Sequence, residues 1–282
     1  MNAVVPEGYA ERLHRLAVGF EPLDPVRGGR LAHPVRFECD GPLPRPFTRS
    51  GPYRRVARDG QVVPVADRHD SCLWALLYQP GIVEGAVDVR IYDPPRRYVA
   101  RRFRVPILPV ASLALGEPAP LTQARRVRRP ALFPGAAYDI SSRATGLRGR
   151  AVRGGGPLRW ARVEARLEPG GALVGRAHGD DRGEFLLVLA NAASPPSELV
   201  DPLDVRVTVF GPAVAPVPVP ATLAADDPLW DLPLEPLPTP GDPDPVSSGE
   251  TLPAGYFASP TSTRIVSFHL GRLISAPDFV FA

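Results

Sequence analysis

The sequence predicts an all-β protein: two tandem antiparallel β-sandwich domains, a long Pro-rich linker and a C-terminal β-strand segment. Three observations predict it. Short apolar runs alternate with polar residues at a period of two, as in Val87-Asp88-Val89-Arg90-Ile91, the pattern of a half-buried strand. Gly- and Asp-rich turns separate such runs by only a few residues, which suits hairpins rather than crossover helices. Proline supplies 37 of the 282 residues, far above its usual share of ~5%. Each proline fixes φ and removes a backbone donor, so long helices are hard to place.

Residues 1–18 read as an N-terminal arm. Tyr9, Leu13, Leu16 and Phe20 recur at helical spacing with Glu7, Glu11, Arg12 and Arg15 between them, which predicts a short amphipathic turn, either packed on the first domain or serving as a docking segment for a partner. Residues 19–108 read as the first sandwich domain, with at least five strands. The apolar run 72–78 predicts a central strand buried on both faces. Asp93-Pro94-Pro95 predicts a turn between the strand at 87–91 and a looser alternation over 98–105. Residues 109–136 read as a linker that carries the densest basic cluster, Arg125-Arg126-Val127-Arg128-Arg129.

Residues 137–210 read as the second sandwich domain. Its strands are expected at 147–152, 160–167, 173–177, 184–189 and 199–210. Gly154-Gly155-Gly156-Pro157, Pro169-Gly170-Gly171 and Gly179-Asp180-Asp181-Arg182-Gly183 supply the breaks, because Gly reaches φ > 0 cheaply and Asp caps its own turn. Residues 211–248 read as an extended Pro-rich linker laid over neighbouring surface, anchored by Trp230 with Leu229, Leu232 and Leu234. Residues 249–282 end the chain with strands at 264–270 and 279–281. These are expected either to return to their own domain or to augment a neighbour's sheet.

The run LRGRAV, then GGPLRWARVEARL, then GALVGRAHGDDRGEFLLVL resembles the carboxypeptidase regulatory-like domain, a transthyretin-like sandwich of the broader Ig-like kind. Gly149, Pro157, Leu158, Ala161, Val163, Asp180, Gly183 and Phe185 fall close to the family pattern, while Gly179 stands where Thr is usual. The resemblance implies a scaffold or adhesive module without catalytic residues of its own. The stretches YDPPRRYVARRFRVPI and TSTRIVSFHLGRLIS resemble β-rich accessory proteins of bacterial, phage-tail-like contractile injection systems. That resemblance implies partner subunits arranged around a six-fold or three-fold axis.

All 33 basic residues are Arg, and no Lys occurs; an Arg-, Ala-, Gly- and Pro-rich chain without Lys reflects a GC-rich genome rather than a polyanion partner. The net charge of +3 is small for this length, and the basic cluster lacks interleaved aromatics, so nucleic acid is not an expected partner. Cys39 and Cys72 allow at most one disulfide, and a reduced compartment is the default. No signal peptide or membrane span is legible, which leads us to expect a cytoplasmic chain or one carried in a particle released from the cell.

No catalytic, cofactor or metal site is expected. Asp67-Arg68-His69-Asp70-Ser71-Cys72 has the residue types of a nucleophile site but no nucleophile elbow, and reads as a turn before a buried strand. The five histidines show no zinc-helix spacing, Asp180-Asp181 lacks the alternating oxygens of a calcium loop, and Gly154-Gly155-Gly156 opens no helix for phosphate. The expected function is therefore that of a non-enzymatic structural or adaptor component of a larger assembly of protein subunits. Candidate partner contacts are Arg125, Arg126, Arg128, Arg129, Trp230, Phe279 and Phe281. The alternative is a soluble carbohydrate- or protein-binding module, which calls for an exposed aromatic platform among Trp74, Trp160 and Trp230.

Overall fold

The structure, a computed structural model, describes residues 16–40, 54–56, 62–78, 85–109, 126–189, 202–218 and 227–282. The expected helical turn at Tyr9 and Leu13, most of the 109–136 linker and Arg125 lie outside the described residues. Every element in the described parts is a strand. The chain runs β1 (Leu16–Phe20), β2 (Leu23–Asp24), β3 (Gly29–Arg30), β4 (Val35–Asp40), β5 (Arg54–Val56), β6 (Val62–Ser71), β7 (Trp74–Leu77), β8 (Gly85–Tyr92), β9 (Arg101–Ile107) and β10 (Val127–Arg128). It continues with β11 (Gly146–Arg153), β12 (Gly156–Pro157), β13 (Arg162–Leu167), β14 (Leu173–His178), β15 (Glu184–Val188), β16 (Leu203–Pro212), β17 (Leu234–Pro236), β18 (Tyr256–Phe268), β19 (Leu273–Ser275) and β20 (Phe279–Val280).

The first core lies between a six-stranded sheet, ordered β17-β9-β8-β4-β6-β5, and a three-stranded sheet, β10-β1-β7. Alternation builds it: Val87, Val89 and Ile91 of β8 and Phe103, Val105 and Ile107 of β9 all point inward. Phe20, Phe37, Trp74 and Phe103 form an aromatic cluster with ring centroids 5.9–6.4 Å apart. Such contacts contribute about 0.5–1.5 kcal/mol per pair beyond area burial.

The second core lies between β12-β11-β15, with β19 and β20 also laid along β11, and the four-stranded sheet β14-β13-β16-β18. Val163 and Ala165 lie beside Val209 and Val207 of the neighbouring β16 on the core face of their sheet, and Phe185 meets Phe279 at 5.7 Å. The two cores share a strand. Phe185 and Leu187 of β15 belong to the second core, whereas Leu186, fully buried on the opposite face, belongs to the first.

Several local expectations are corrected. Leu16 and Phe20 sit on a strand, not a helical turn, because β1 pairs with β7 and β10 and buries Ala17, Val18 and Phe20. The run 72–78 is not a central strand: β7 covers only Trp74–Leu77, stands at a sheet edge, and alternates buried and exposed. The turn expected at 67–72 falls later, since β6 continues to Ser71 and pairs with β4; the Ser71 hydroxyl then accepts from the Leu73 N–H. The 211–248 stretch is more than a linker. Gly211 and Pro212 still belong to β16, and β17 adds in parallel to β9 as a sheet edge, where Pro236 loses no ladder bond.

Candidate functional site

The segment 227–248 draws the two sheet systems together through a buried charge network. Arg101 takes a core-facing register on β9, where alternation alone would place an apolar residue. Its five N–H groups are all used. Nε and Nη2 meet Glu235 at 3.0 and 2.7 Å, Nη1 donates to the Ala131 and Ser247 carbonyls at 2.9 Å, and Nη2 also donates to the Val246 carbonyl. Arg162 of β13 reaches the same carboxylate at 3.1 Å. Burial pushes the Glu235 carboxyl up, but the two guanidiniums outweigh it and hold the group below the usual range. One carboxylate from the Pro-rich segment thus ties β9 to β13.

Beside this network His178 is buried and stacked on Phe133, with ring centroids 3.9 Å apart. Its Nδ1 has no hydrogen-bond partner. Burial, then the charges of Arg162, Arg101 and Arg176, hold the imidazole well below its ordinary 6.5, so it is neutral.

A cleft of about 230 Å³ opens at the same junction. Tyr92, Val99, Ala100, Trp160 and Leu229 form its apolar wall. Arg96 and Trp160, the non-glycine residues in the left-handed region among the described residues, both line it, with φ of 64° and 58°. Trp160 is held there from several sides. Its N–H donates to the Asp180 carbonyl, its indole Nε1 donates to Asp231 at 2.7 Å, and its own carbonyl accepts from Arg162 and Tyr256. Such over-determination is what keeps a strained residue in place. Arg96 makes a bidentate pair with Asp181 at 2.6 and 3.1 Å, which closes one side of the cleft.

The turn Gly179–Gly183 is built by Asp180, whose Oδ1 accepts from the N–H groups of Arg182 and Glu184 at 2.8 and 3.0 Å. Gly183 has φ +74, and a side chain there would strike the Ala151 carbonyl. Gly149 lies flat under the Phe185 ring, which a Cβ would meet at 2.3 Å. Asp180, Gly183 and Gly149 therefore have local structural jobs.

A different surface lies on β18, the longest strand and one edge of its sheet. It pairs with β16 and, among the described residues, with no other strand. Ile265 is 56% exposed, and Phe257, Leu270, Leu273 and Val280 are exposed elsewhere in the C-terminal segment. Thr261 donates to the Val280 carbonyl, and Arg264 to those of Pro277 and Asp278, so the β20 region is tied to β18.

The residues expected to contact partners are mostly spent inside the chain. Arg126 is buried and donates to the Leu16 carbonyl; Arg128 is buried beside Asp244 and the Pro238 carbonyl. Trp230, Phe279 and Phe281 are buried, the last two in the second core. Arg129 is exposed and pairs with Glu21 at 2.8 Å. Trp74 and Trp160 are buried too, so none of the three tryptophans offers a flat platform. The sequence places Ile265 on the expected 264–270 strand, a candidate for augmenting a neighbour's sheet, but singles out neither Arg96 nor Glu235. Among the described residues no three His, Cys, Asp or Glu side chains stand close enough to share a metal ion. No helix there is long and apolar enough to cross a membrane, which says nothing about β-barrels. No family model matches the chain, and neither a curated protein nor a solved structure matches it.

Proposed function

We propose that the chain is a non-enzymatic structural or adaptor component of a larger multiprotein assembly, acting through protein–protein contacts. The assembly class we propose is a phage-tail-like contractile injection system. The observation that carries the reading is the β18 edge. Sheet edges are normally guarded by charge, proline or burial against unwanted pairing. From Thr261 to Phe268 this edge carries a single charge, Arg264, and that guanidinium is occupied by two carbonyls of its own chain. Five of the nine exposed large apolar side chains among the described residues fall between Phe257 and Val280. An edge of this kind suits strand augmentation by a partner subunit, where backbone bonds supply affinity and side chains supply register.

The segments that carry the resemblance to injection-system accessory proteins support the reading by position. YDPPRRYVARRFRVPI supplies the cleft turn and β9, and TSTRIVSFHLGRLIS supplies the β18 edge and β19. The test is co-sedimentation of the tagged chain with a large particle in lysate of its native cell, followed by electron microscopy of that particle. The chain is expected in the particle fraction, and Ile265→Lys is expected to release it. A chain that sediments as a free small protein under all conditions would overturn the proposal.

A further inference from the structure

A second cavity, beside the second core, carries an inference separate from the β18 edge. It holds about 560 Å³, within the range of roughly 300–1,000 Å³ typical of small-molecule sites. Its apolar wall comes from the edge strand β14, the end of β15 and the start of β16. Val174, Leu189 and Leu203 there are buried members of the second core. The turn between β2 and β3 adds Val26, and the segment after β18 adds Leu270. These two side chains are 40% and 37% exposed, so apolar surface continues from the core to the solvent.

The charged side chains that line this cavity are Arg143 and Arg176; among the described residues no Asp or Glu does. Arg143 is exposed, and its guanidinium has no hydrogen-bond or ion-pair partner among the described residues. The Arg176 side chain is 25% exposed. Glu164 and Glu250 approach it only at 3.7 and 3.9 Å, too far for hydrogen bonds. Glu164 already accepts from Arg166 at 2.9 Å. The guanidiniums of Arg143, Arg166 and Arg176 thus stand against the carboxylates of Glu164 and Glu250. Three cations against two anions leave one positive charge in excess at an apolar cavity.

We propose that this cavity binds a small apolar monocarboxylate of the fatty-acid kind. The carboxylate accepts from the Arg143 and Arg176 guanidiniums, whose planar forks suit that group. The alkyl chain lies on Val174, Leu189 and Leu203, with Val26 and Leu270 beside it. An amphiphilic cation would add to the positive excess, and a neutral amphiphile would gain the apolar contact alone.

The test titrates the full chain with octanoate, with its neutral isostere octanamide and with octyltrimethylammonium, followed by calorimetry or NMR shifts. Octanoate is expected to bind, and octanamide at least about tenfold more weakly, the usual weight of a hydrogen bond to a charged group. Octyltrimethylammonium is expected to bind no better than octanamide. The double variant Arg143→Gln/Arg176→Gln is expected to erase the preference for octanoate over octanamide. If that variant does not fold, Arg143→Gln alone, at an exposed position, is expected to reduce the preference. Val26→Trp, which fills the cavity from an exposed position, is expected to abolish octanoate binding. No binding of octanoate, a preference unchanged in the folded arginine variants, or binding unchanged in Val26→Trp would overturn the proposal. Equal binding of the three compounds would do the same. None of these outcomes bears on the β18 edge.

Discussion

At the residue scale the junction depends on single buried charges. Removing the Glu235 carboxylate by Glu235→Ala leaves Arg101 and Arg162 facing each other without their shared counter-ion. Breaking a buried pair in this way costs about 3–5 kcal/mol. We therefore expect the urea midpoint of Glu235→Ala to fall by that equivalent, while an exposed pair such as Arg104–Asp88, removed by Arg104→Ala, costs at most about 1 kcal/mol. His178 makes a pH-dependent contribution. Its folded pKa lies well below the 6.5 of the free side chain because burial and three nearby arginines disfavour the imidazolium. Below pH 6.5 the unfolded chain takes up a proton that the folded chain refuses. Stability from this group is thus present above 6.5 and is lost as pH falls, by up to about 1.4 kcal/mol per pH unit. The expected outcome is that His178→Gln flattens the decline between pH 7 and 5 relative to the wild type; parallel curves would show that His178 does not titrate on unfolding.

At the element scale most strands were legible, and their failures have physical causes. Alternation placed β8 and β16 to within a few residues, because each turns one apolar set to the core, while the Gly- and Asp-rich turns bounded β11 and β15. It could not show that β15 is buried on both faces, since Leu186 simply continues an apolar run. Arg101 reads as a solvent-facing residue until Glu235, 134 positions away, is brought against it. The Pro-rich segment hides β17 because a three-residue parallel edge strand leaves no periodicity to read. The Asp180, Gly183 and Phe185 turn was legible because turn chemistry is local. The cleft was not, since its walls come from β4, β8 and five separate connecting segments, at 93–100, 135, 160, 180–181 and 227–229. The β18 edge makes its own prediction here. Ile265→Lys adds a charge to an exposed position, so the isolated chain should keep its melting temperature within about 2 °C, as surface substitutions do. A large drop would mean that Ile265 is needed for the fold rather than for contact.

At the scale of the whole molecule, the chain is laced rather than strung. Residues 227–248 contribute Leu237 to the first core, Glu235 to the junction and Leu229 to the cleft wall, before β18 and β20 close the second core. Because β15 serves both cores, damage to one should be felt by the other. Phe37→Ala in the first core and Val207→Ala in the second are each expected to lower one shared calorimetric transition. Two transitions that respond separately would indicate independently folding domains. The same lacing means that removing residues 211–282 takes away core strands, so loss of assembly on that deletion would report unfolding and not a lost contact.

The functional account rests on the β18 edge as the surface that joins the chain to its assembly. The most direct measurement is sedimentation of native particles from cells expressing either the wild-type chain or Ile265→Lys, with the melting temperature of each purified chain recorded alongside. The account predicts wild-type chain in the particle fraction and a folded, equally stable Ile265→Lys chain left free. An Ile265→Lys chain that enters particles as fully as the wild type would contradict it.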